Sequence, residues 1–330
     1  MLLLEDRNDD VAVYRIEDGR DVGINRYIAT TPHTRAICND PTVCGVDYTR
    51  RLQRACTSVL ELYHRFASVP LECRETVVLN ILRGGLNFGL REALADACGW
   101  NTMGTSFISA QRVRDAEDSE DWHITESDYR KVYLPERAQI VFGDVVATGT
   151  SLHHALKLIV RSAEETGAQI TRFVFFTYGG VRAEEILSDI AALCRERFDS
   201  FTGVDLFYLE GRFTVPTPAT PLTIKLTGTD LVRYGALMAP EFMDSQYGSP
   251  LYPLERCIIY DAGSRAFHPA EYVADVEEYW RTVLKQAQQG RSFRSILAER
   301  FPEIDAARFG EVDLREIVLS HLLEIEKILG

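Results

Sequence analysis

One stretch constrains the fold of this chain more than any other: Ile140-Val-Phe-Gly-Asp-Val-Val-Ala-Thr-Gly-Thr-Ser-Leu152. An apolar run ends at Gly143-Asp144, a turn of small residues follows from Ala147 to Ser151, and helical spacing begins at Leu152. Leu152, Ala155, Leu156, Ile159, Val160 and Ala163 fall near one helical face, and Gly167 is placed to stop the helix. Consecutive apolar residues are what a strand needs when both its faces are covered. The expected unit is therefore a buried strand, a loop of backbone amides and hydroxyls, and a helix N-terminus. Such a loop attracts phosphate, because unpaired amides and the positive end of the helix dipole point into it. It lacks the Gly-Lys pair of a Walker A loop and the G-x-G-x-x-G of a dinucleotide loop. On its own it reads equally as an ordinary strand-to-helix turn of an α/β protein.

Strand-like runs over 77–82, 105–109, 172–177 and 204–209 alternate with helix-like segments. One of these starts near Val181 and carries Ile186, Ile190, Leu193 and Cys194 on its inner stripe. The alternation predicts an α/β fold with a mostly parallel sheet flanked by helices. Four regions are expected: an N-terminal extension with one helix over 1–70, an α/β core over 71–211, an irregular hood over 212–268, and a C-terminal helical extension over 269–330. Prolines 216, 218, 221, 240, 250 and 253 interrupt the hood, which is expected over the carboxyl ends of the strands, where open α/β sheets bind ligands. In the tail, Leu314, Val318, Leu322, Ile325 and Leu329 form one stripe behind a candidate N-cap, Asp313. Core packing or a homodimer contact is the plain meaning of that stripe.

The 330 residues carry a net charge of −13, which argues against nucleic-acid and anionic-membrane partners. An acidic protein that binds a polyanion must concentrate positive charge, or Mg²⁺, at its site. The seven cysteines show no paired or metal-like spacing, and Met1-Leu-Leu-Leu is too short for a signal-peptide core. Free thiols in a reducing cytoplasm are expected. No histidine pair has zinc-hydrolase spacing, and G-x-S-x-G is absent, so neither metal-assisted hydrolysis nor acyl transfer through a serine has support.

Three further segments carry chemistry. Thr76-Val-Val-Leu-Asn-Ile-Leu-Arg-Gly-Gly85 is an apolar run ending at Arg83-Gly84-Gly85 ahead of a helix-like segment that runs to about Ala97. The polar stretch 110–135 carries Arg112, Arg114, the acidic patch Asp115-Ala-Glu-Asp-Ser-Glu-Asp121, and Tyr129-Arg-Lys-Val-Tyr-Leu-Pro135. A loop of that length between two strands is functional or disordered more often than not. Finally, Cys257-Ile-Ile-Tyr-Asp-Ala-Gly-Ser-Arg-Ala-Phe267 reads as a strand and a turn. Each has a plain alternative: a surface arginine beside a Gly-Gly turn, a solvated loop, an ordinary turn.

In this order the four segments resemble the pyrophosphate loop, mobile loop, signature and base segment of type I phosphoribosyltransferases, with the uracil enzymes the most similar. The resemblance covers roughly residues 76 to 268. It implies transfer of a phosphoribosyl group from phosphoribosyl pyrophosphate to a pyrimidine-like or other small nucleobase, with Mg²⁺ held by the substrate and by no protein side chain directly. It implies Arg83, Asp144 and Asp261 as catalytic residues, and a cis peptide bond before Arg83. Arg83, Gly84, Gly85, Arg112, Asp144, Ala147, Thr148, Gly149, Thr150 and Ser151 would hold phosphoribosyl pyrophosphate, and Tyr260, Asp261, Ala262, Gly263 and Arg265 the base. The chain departs from the family at Gly143, where many members carry a second acid, at Thr150 for a glycine, at Tyr133 for a lysine, and at Ser264 for an aspartate. Ala147 stands where 6-oxopurine enzymes carry an acid, which disfavours that class. A non-catalytic regulator with the same fold, binding phosphoribosyl pyrophosphate or a nucleotide, is the alternative reading.

Overall fold

The computed structural model describes residues 1–7, 10–82, 84–109, 111–114, 122–126, 129–224, 226 and 228–329; the side chains of residues 6, 7, 111–114, 122–126 and 329 are excepted. The chain opens with β1 (Leu2–Arg7), β2 (Val11–Arg15) and β3 (Asn25–Thr30), then α1 (Pro32–Asn39) and α2 (Gly45–Phe66). β4 (Thr76–Ile81) leads through a 3₁₀ turn, Gly84–Phe88, into α3 (Leu90–Cys98) and β5 (Gly104–Ile108). A hairpin of β6 (Gln111–Arg114) and β7 (Trp122–Glu126) and a short β8 (Arg130–Lys131) precede β9 (Arg137–Val146). Then come α4 (Thr150–Thr166), β10 (Gln169–Gly179), α5 (Val181–Arg197) and β11 (Gly203–Thr214). The hood and tail hold β12 (Val232–Met238), α6 (Pro240–Ser245), α7 (Ala262–Phe267), α8 (Pro269–Gln288), α9 (Phe293–Arg300) and α10 (Leu314–Glu326).

Six strands run parallel in the order β3-β11-β10-β9-β4-β5, as the β–α alternation requires. Antiparallel strands finish the sheet: β2 and β1 beyond β3, β8 on β5, and β12 on the end of β11. From β4 the chain crosses to β5 on one side; from β9 it crosses to β10 and β11 on the other. Right-handed crossovers running in opposite directions put α3 on one face and α4 and α5 on the other. The crossing direction reverses between β4 and β9, so a crevice opens there at the carboxyl ends of the strands.

The core lies between the sheet and its helices. Phe142 of β9 stacks on Phe175 of β10 at 4.4 Å, and Phe176 stacks on Phe207 of β11 at 5.1 Å. Gly167 caps α4 in the left-handed conformation at φ +75°, the stop its position suggested. Asp313 caps α10 by accepting from the amides of Arg315 and Glu316, and Leu314, Val318, Leu322 and Ile325 are buried. α10 packs on α8, so this stripe is core within the chain. All seven cysteines are free thiols. No helix among the described residues is long and apolar enough to cross a membrane.

Three expectations change. The first 70 residues are more than a polar extended part with one helix: β3 joins the parallel sheet beside β11, and α1 and α2 pack together against it. β9 continues three residues past Gly143, to Val146, because β10 pairs with it through Gly179. Cys257-Ile-Ile forms no strand; its amide tie is Ile258 to the Leu231 carbonyl at 2.7 Å, and the segment's apolar character reflects its burial within the hood.

Candidate active site

The crevice between β4 and β9 is roofed by the hood to form a cleft of about 350 Å³. Its inner wall is the end of β9 and the start of α4. Asp144 lies on the strand with its carboxylate accepting from the Val145 amide at 2.9 Å. Gly149 takes φ +75° at the N-cap of α4, which no side chain caps, so backbone amides of the first helical turn face the cleft mouth. The left-handed conformation and the close approach of Ile186 and Arg182 leave only glycine at 149. Ala147 is buried, and the Thr148 and Thr150 hydroxyls lie 3.5 Å apart across the turn. Thr150, which replaces the glycine of the resembled family, is the first residue of α4, and its backbone is helical.

The turn after β4 packs directly on this wall. Gly84 lies so close to the Asp144 carboxylate that any Cβ there would meet it. The Phe88 ring lies against Gly143, and a Cβ on 143 would stand 2.5 Å from Phe88 Cδ1 and 2.9 Å from Cδ2. The glycine that replaces a second acid therefore has a steric cause: the ring occupies the space an acidic side chain would need. Gly85 packs behind, against the Gly143 carbonyl. Asn87 of the same turn donates to the Ala262 carbonyl at 2.9 Å and so ties the turn to the base segment.

The roof is Tyr260, Asp261, Ala262 and Gly263, with Ile259 beside them. Asp261 is the N-cap of α7: its Oδ1 accepts from the amides of Gly263 at 2.7 Å and Ser264 at 3.0 Å. Its carboxylate is thus committed to the helix start on one oxygen, which fits a structural role better than the expected catalytic one. Arg265 does not reach the cleft. It is fully buried between the Tyr48 and Tyr272 rings, 5.0 and 5.3 Å away, and donates to the carbonyls of Val43, Ile37 and Asp40. Expected among the base-binding residues, it anchors α7 to the chain after α1. Arg83 lies outside the described residues, as do residue 110, the acidic patch 115–121, and 127–128. Arg112 is on β6, paired across from Ile124, in a hairpin that packs on α4; its side chain is not described.

Three charged residues on the outer wall escaped the sequence reading: Asp230, Arg256 and Asp275. The first two pair at 3.3 Å across 26 residues of sequence, and Arg256 lies over the Tyr260 ring at 5.3 Å. Burial works against the Arg256 charge, but the Asp230 carboxylate together with Cys257 and Tyr260 beside it pushes the guanidinium pKa up. Asp275, on α8, is pushed above the usual carboxylate range by burial and by Glu278, Asp261 and Asp230, with Arg256 opposing. No motif announces these residues. The one local hint is the charged pair Glu255-Arg256 directly ahead of the apolar Cys257-Ile-Ile run.

No protein-family model matches the sequence, and no curated protein matches it. Solved structures to which the chain is similar include a hypoxanthine-guanine phosphoribosyltransferase from Bacillus anthracis, at 18% identity and a TM-score of 0.26 over 40% of this chain and 69% of that one. A hypoxanthine phosphoribosyltransferase from Staphylococcus aureus is similar at 13% identity and a TM-score of 0.28, over 49% and 74%. One from Trypanosoma cruzi, in a ternary substrates complex, is similar at 15% and 0.26, over 59% and 93%. Likeness at this level carries no argument about chemistry, which rests on the cleft itself.

Proposed function

We propose that this chain is a phosphoribosyltransferase of the type I kind, transferring the phosphoribosyl group of phosphoribosyl pyrophosphate to a small nucleobase with release of pyrophosphate. One observation carries the reading. Three segments far apart in sequence, the Gly84 turn, the Asp144–Ser151 strand-to-helix unit and the Tyr260–Gly263 roof, meet at the sheet's switch point around a single cleft. The reaction forms a bond from a base nitrogen to the anomeric carbon and breaks the bond from that carbon to the pyrophosphate oxygen, whose electron pair leaves with pyrophosphate. Positive charge grows on the sugar ring as it does so. The amides of Gly149 to Leu152 would hold the 5′-phosphate, the Asp144 carboxylate would accept from a ribose hydroxyl, and the roof would hold the base and exclude water.

The described charged side chains on the cleft are Asp144, Asp230, Asp261 and Asp275 against Arg256. A polyanion entering such a cleft needs accompanying cations, which suits Mg²⁺ carried on the substrate's own oxygens. No group of three or more metal-ligating side chains is assembled among the described residues. When bound, the ion would neutralise the leaving pyrophosphate, with Asp144 as an acceptor for its water shell.

Phe88 on Gly143, which closes the second acid position, favours the alternative of a non-catalytic regulator that binds phosphoribosyl pyrophosphate or a nucleotide. One experiment separates the two: pyrophosphate release from phosphoribosyl pyrophosphate and Mg²⁺ with a panel of bases, alongside calorimetric binding. Release with any base supports the enzyme, binding without release supports the regulator, and no binding removes both.

A further inference from the structure

The hood segment that carries Arg256 and Tyr260 is mounted on buried charge. Arg233 and Arg300, 3% and 5% exposed, both direct a guanidinium at the Glu255 carbonyl, each at 3.4 Å. Arg300 also donates to the Arg256 carbonyl at 2.6 Å. The Glu255 carboxylate accepts from the Arg256 amide at 2.9 Å, from Trp280 Nε1 at 3.2 Å, and from the Tyr260 hydroxyl. Burying this much charge is costly, and the Nε atoms of Arg233, Arg256 and Arg300 have no partner among the described residues. A hydrophobic plug would close the hood at lower cost. Such a mount fixes one side chain in one place, as preorganised recognition demands.

The side chain it fixes is Arg256. Its guanidinium lies over Tyr260 and is bonded to Asp230, and its side chain is 22% exposed on the cleft wall. We propose that Asp230 and Arg256 are the acceptor-specificity pair of this site, and that the acceptor is a neutral lactam heterocycle, with a ring carbonyl beside a ring N–H other than the reacting nitrogen. This rests on the phosphoribosyltransferase reading. A guanidinium fork donates two hydrogen bonds, which suits the two lone pairs of a carbonyl oxygen; the neighbouring carboxylate takes the adjoining N–H. Cytosine and adenine carry a bare ring nitrogen beside their amino group, so the carboxylate would face a lone pair in place of an N–H. An acceptor with its own carboxylate meets Asp144, Asp261 and Asp275, whose charges Arg256 does not cancel. The Tyr260 ring beneath Arg256 gives a flat ligand an aromatic edge to pack on.

The test is calorimetric titration of uracil, hypoxanthine, cytosine, adenine and orotate onto the protein, each with and without phosphoribosyl pyrophosphate and Mg²⁺. Wild-type protein is expected to bind uracil or hypoxanthine at least tenfold more tightly than the amino-substituted or carboxylated rings. Arg256→Gln and Asp230→Asn should each weaken lactam binding at least tenfold and leave phosphoribosyl pyrophosphate affinity within about twofold. Arg256→Lys keeps the charge on its mount but lacks the fork. It should show the same loss, which covers the case in which Arg256→Gln fails to fold. Tightest binding by cytosine, adenine or orotate, unchanged uracil and hypoxanthine affinity in the variants, or equal loss of base and phosphoribosyl pyrophosphate overturns the assignment. Wild-type protein that binds lactams but no phosphoribosyl pyrophosphate would overturn the transferase reading instead and leave the specificity pair standing.

Discussion

Replacing Gly143 with alanine tests whether the missing second acid is a steric consequence of the turn after β4. The added methyl would stand 2.5 Å from Phe88 Cδ1 and 2.9 Å from Cδ2. Carbon atoms in contact sit about 3.5–4.0 Å apart, so the overlap is roughly 1 Å. Phe88 is fully buried and has no solvent to swing into, so relief requires the Gly84–Phe88 turn to move as a unit. Overpacking of this kind costs about 1–3 kcal/mol. Because Gly84 sits on the Asp144 carboxylate, the same movement should raise the Kd for phosphoribosyl pyrophosphate. Phe88→Ala alone should cost about 3–5 kcal/mol through its cavity. The double variant should cost no more than Phe88→Ala, because the new methyl then fills part of that cavity. Urea unfolding of the four proteins gives the coupling, expected at about 1–3 kcal/mol in favour of the pair. Additive losses, or a Gly143→Ala protein as stable as wild type, would refute the steric account. Gly143→Asp, which supplies the missing acid, is expected to weaken binding as well.

Glu210 supplies a pH-dependent test. It is buried at φ +66°, and burial pushes its carboxyl up to about 7 against the opposing hydrogen bonds of Thr34, Thr30 and Thr31. Its folded pKa lies above its unfolded one, so its stabilising contribution is present below pH ~4.5 and lost as pH rises through about 7, a change of about 3 kcal/mol. Glu210→Gln should flatten the denaturant-midpoint profile between pH 4.5 and 7.5, and an unchanged profile sinks this assignment. Asp144→Asn should lower turnover or phosphoribosyl pyrophosphate affinity at least tenfold with an unchanged melting curve; wild-type kinetics would remove Asp144 from the site. Asp261→Asn, which preserves a good N-cap, should leave turnover within about threefold, while Asp261→Ala should cost about 1 kcal/mol of stability. Loss of turnover in the asparagine variant would restore Asp261 as a catalytic carboxylate.

The sequence by itself determined the sheet's interior and the phosphate-facing loop. Those are local matters: the apolar run ending at Gly143-Asp144, the small residues 147–151 and the helical stripe from Leu152 each act within one turn or strand of their neighbours. The left-handed φ of Gly149 is a local demand, and Asp313 and Gly167 cap the helices next to them. The long-range pairings were decided only by the tertiary structure. β3 enters the parallel sheet because β11 has an open edge, which no pattern within residues 1–70 reveals. Arg265 looks like a site residue by its place in the base segment, yet the carbonyls at the end of α1, more than 200 residues away, take its guanidinium. Asp261 looks catalytic by the same token, yet the amides of α7 occupy one of its two oxygens. Arg256 and Asp230 carry no signature, because a guanidinium–carboxylate pair on a cleft wall depends on where two loops of the hood meet. Local spacing fixes strands, turns and caps through short-range hydrogen bonds and burial periodicity. Which side chains face the cleft depends on packing between segments that the spacing does not encode.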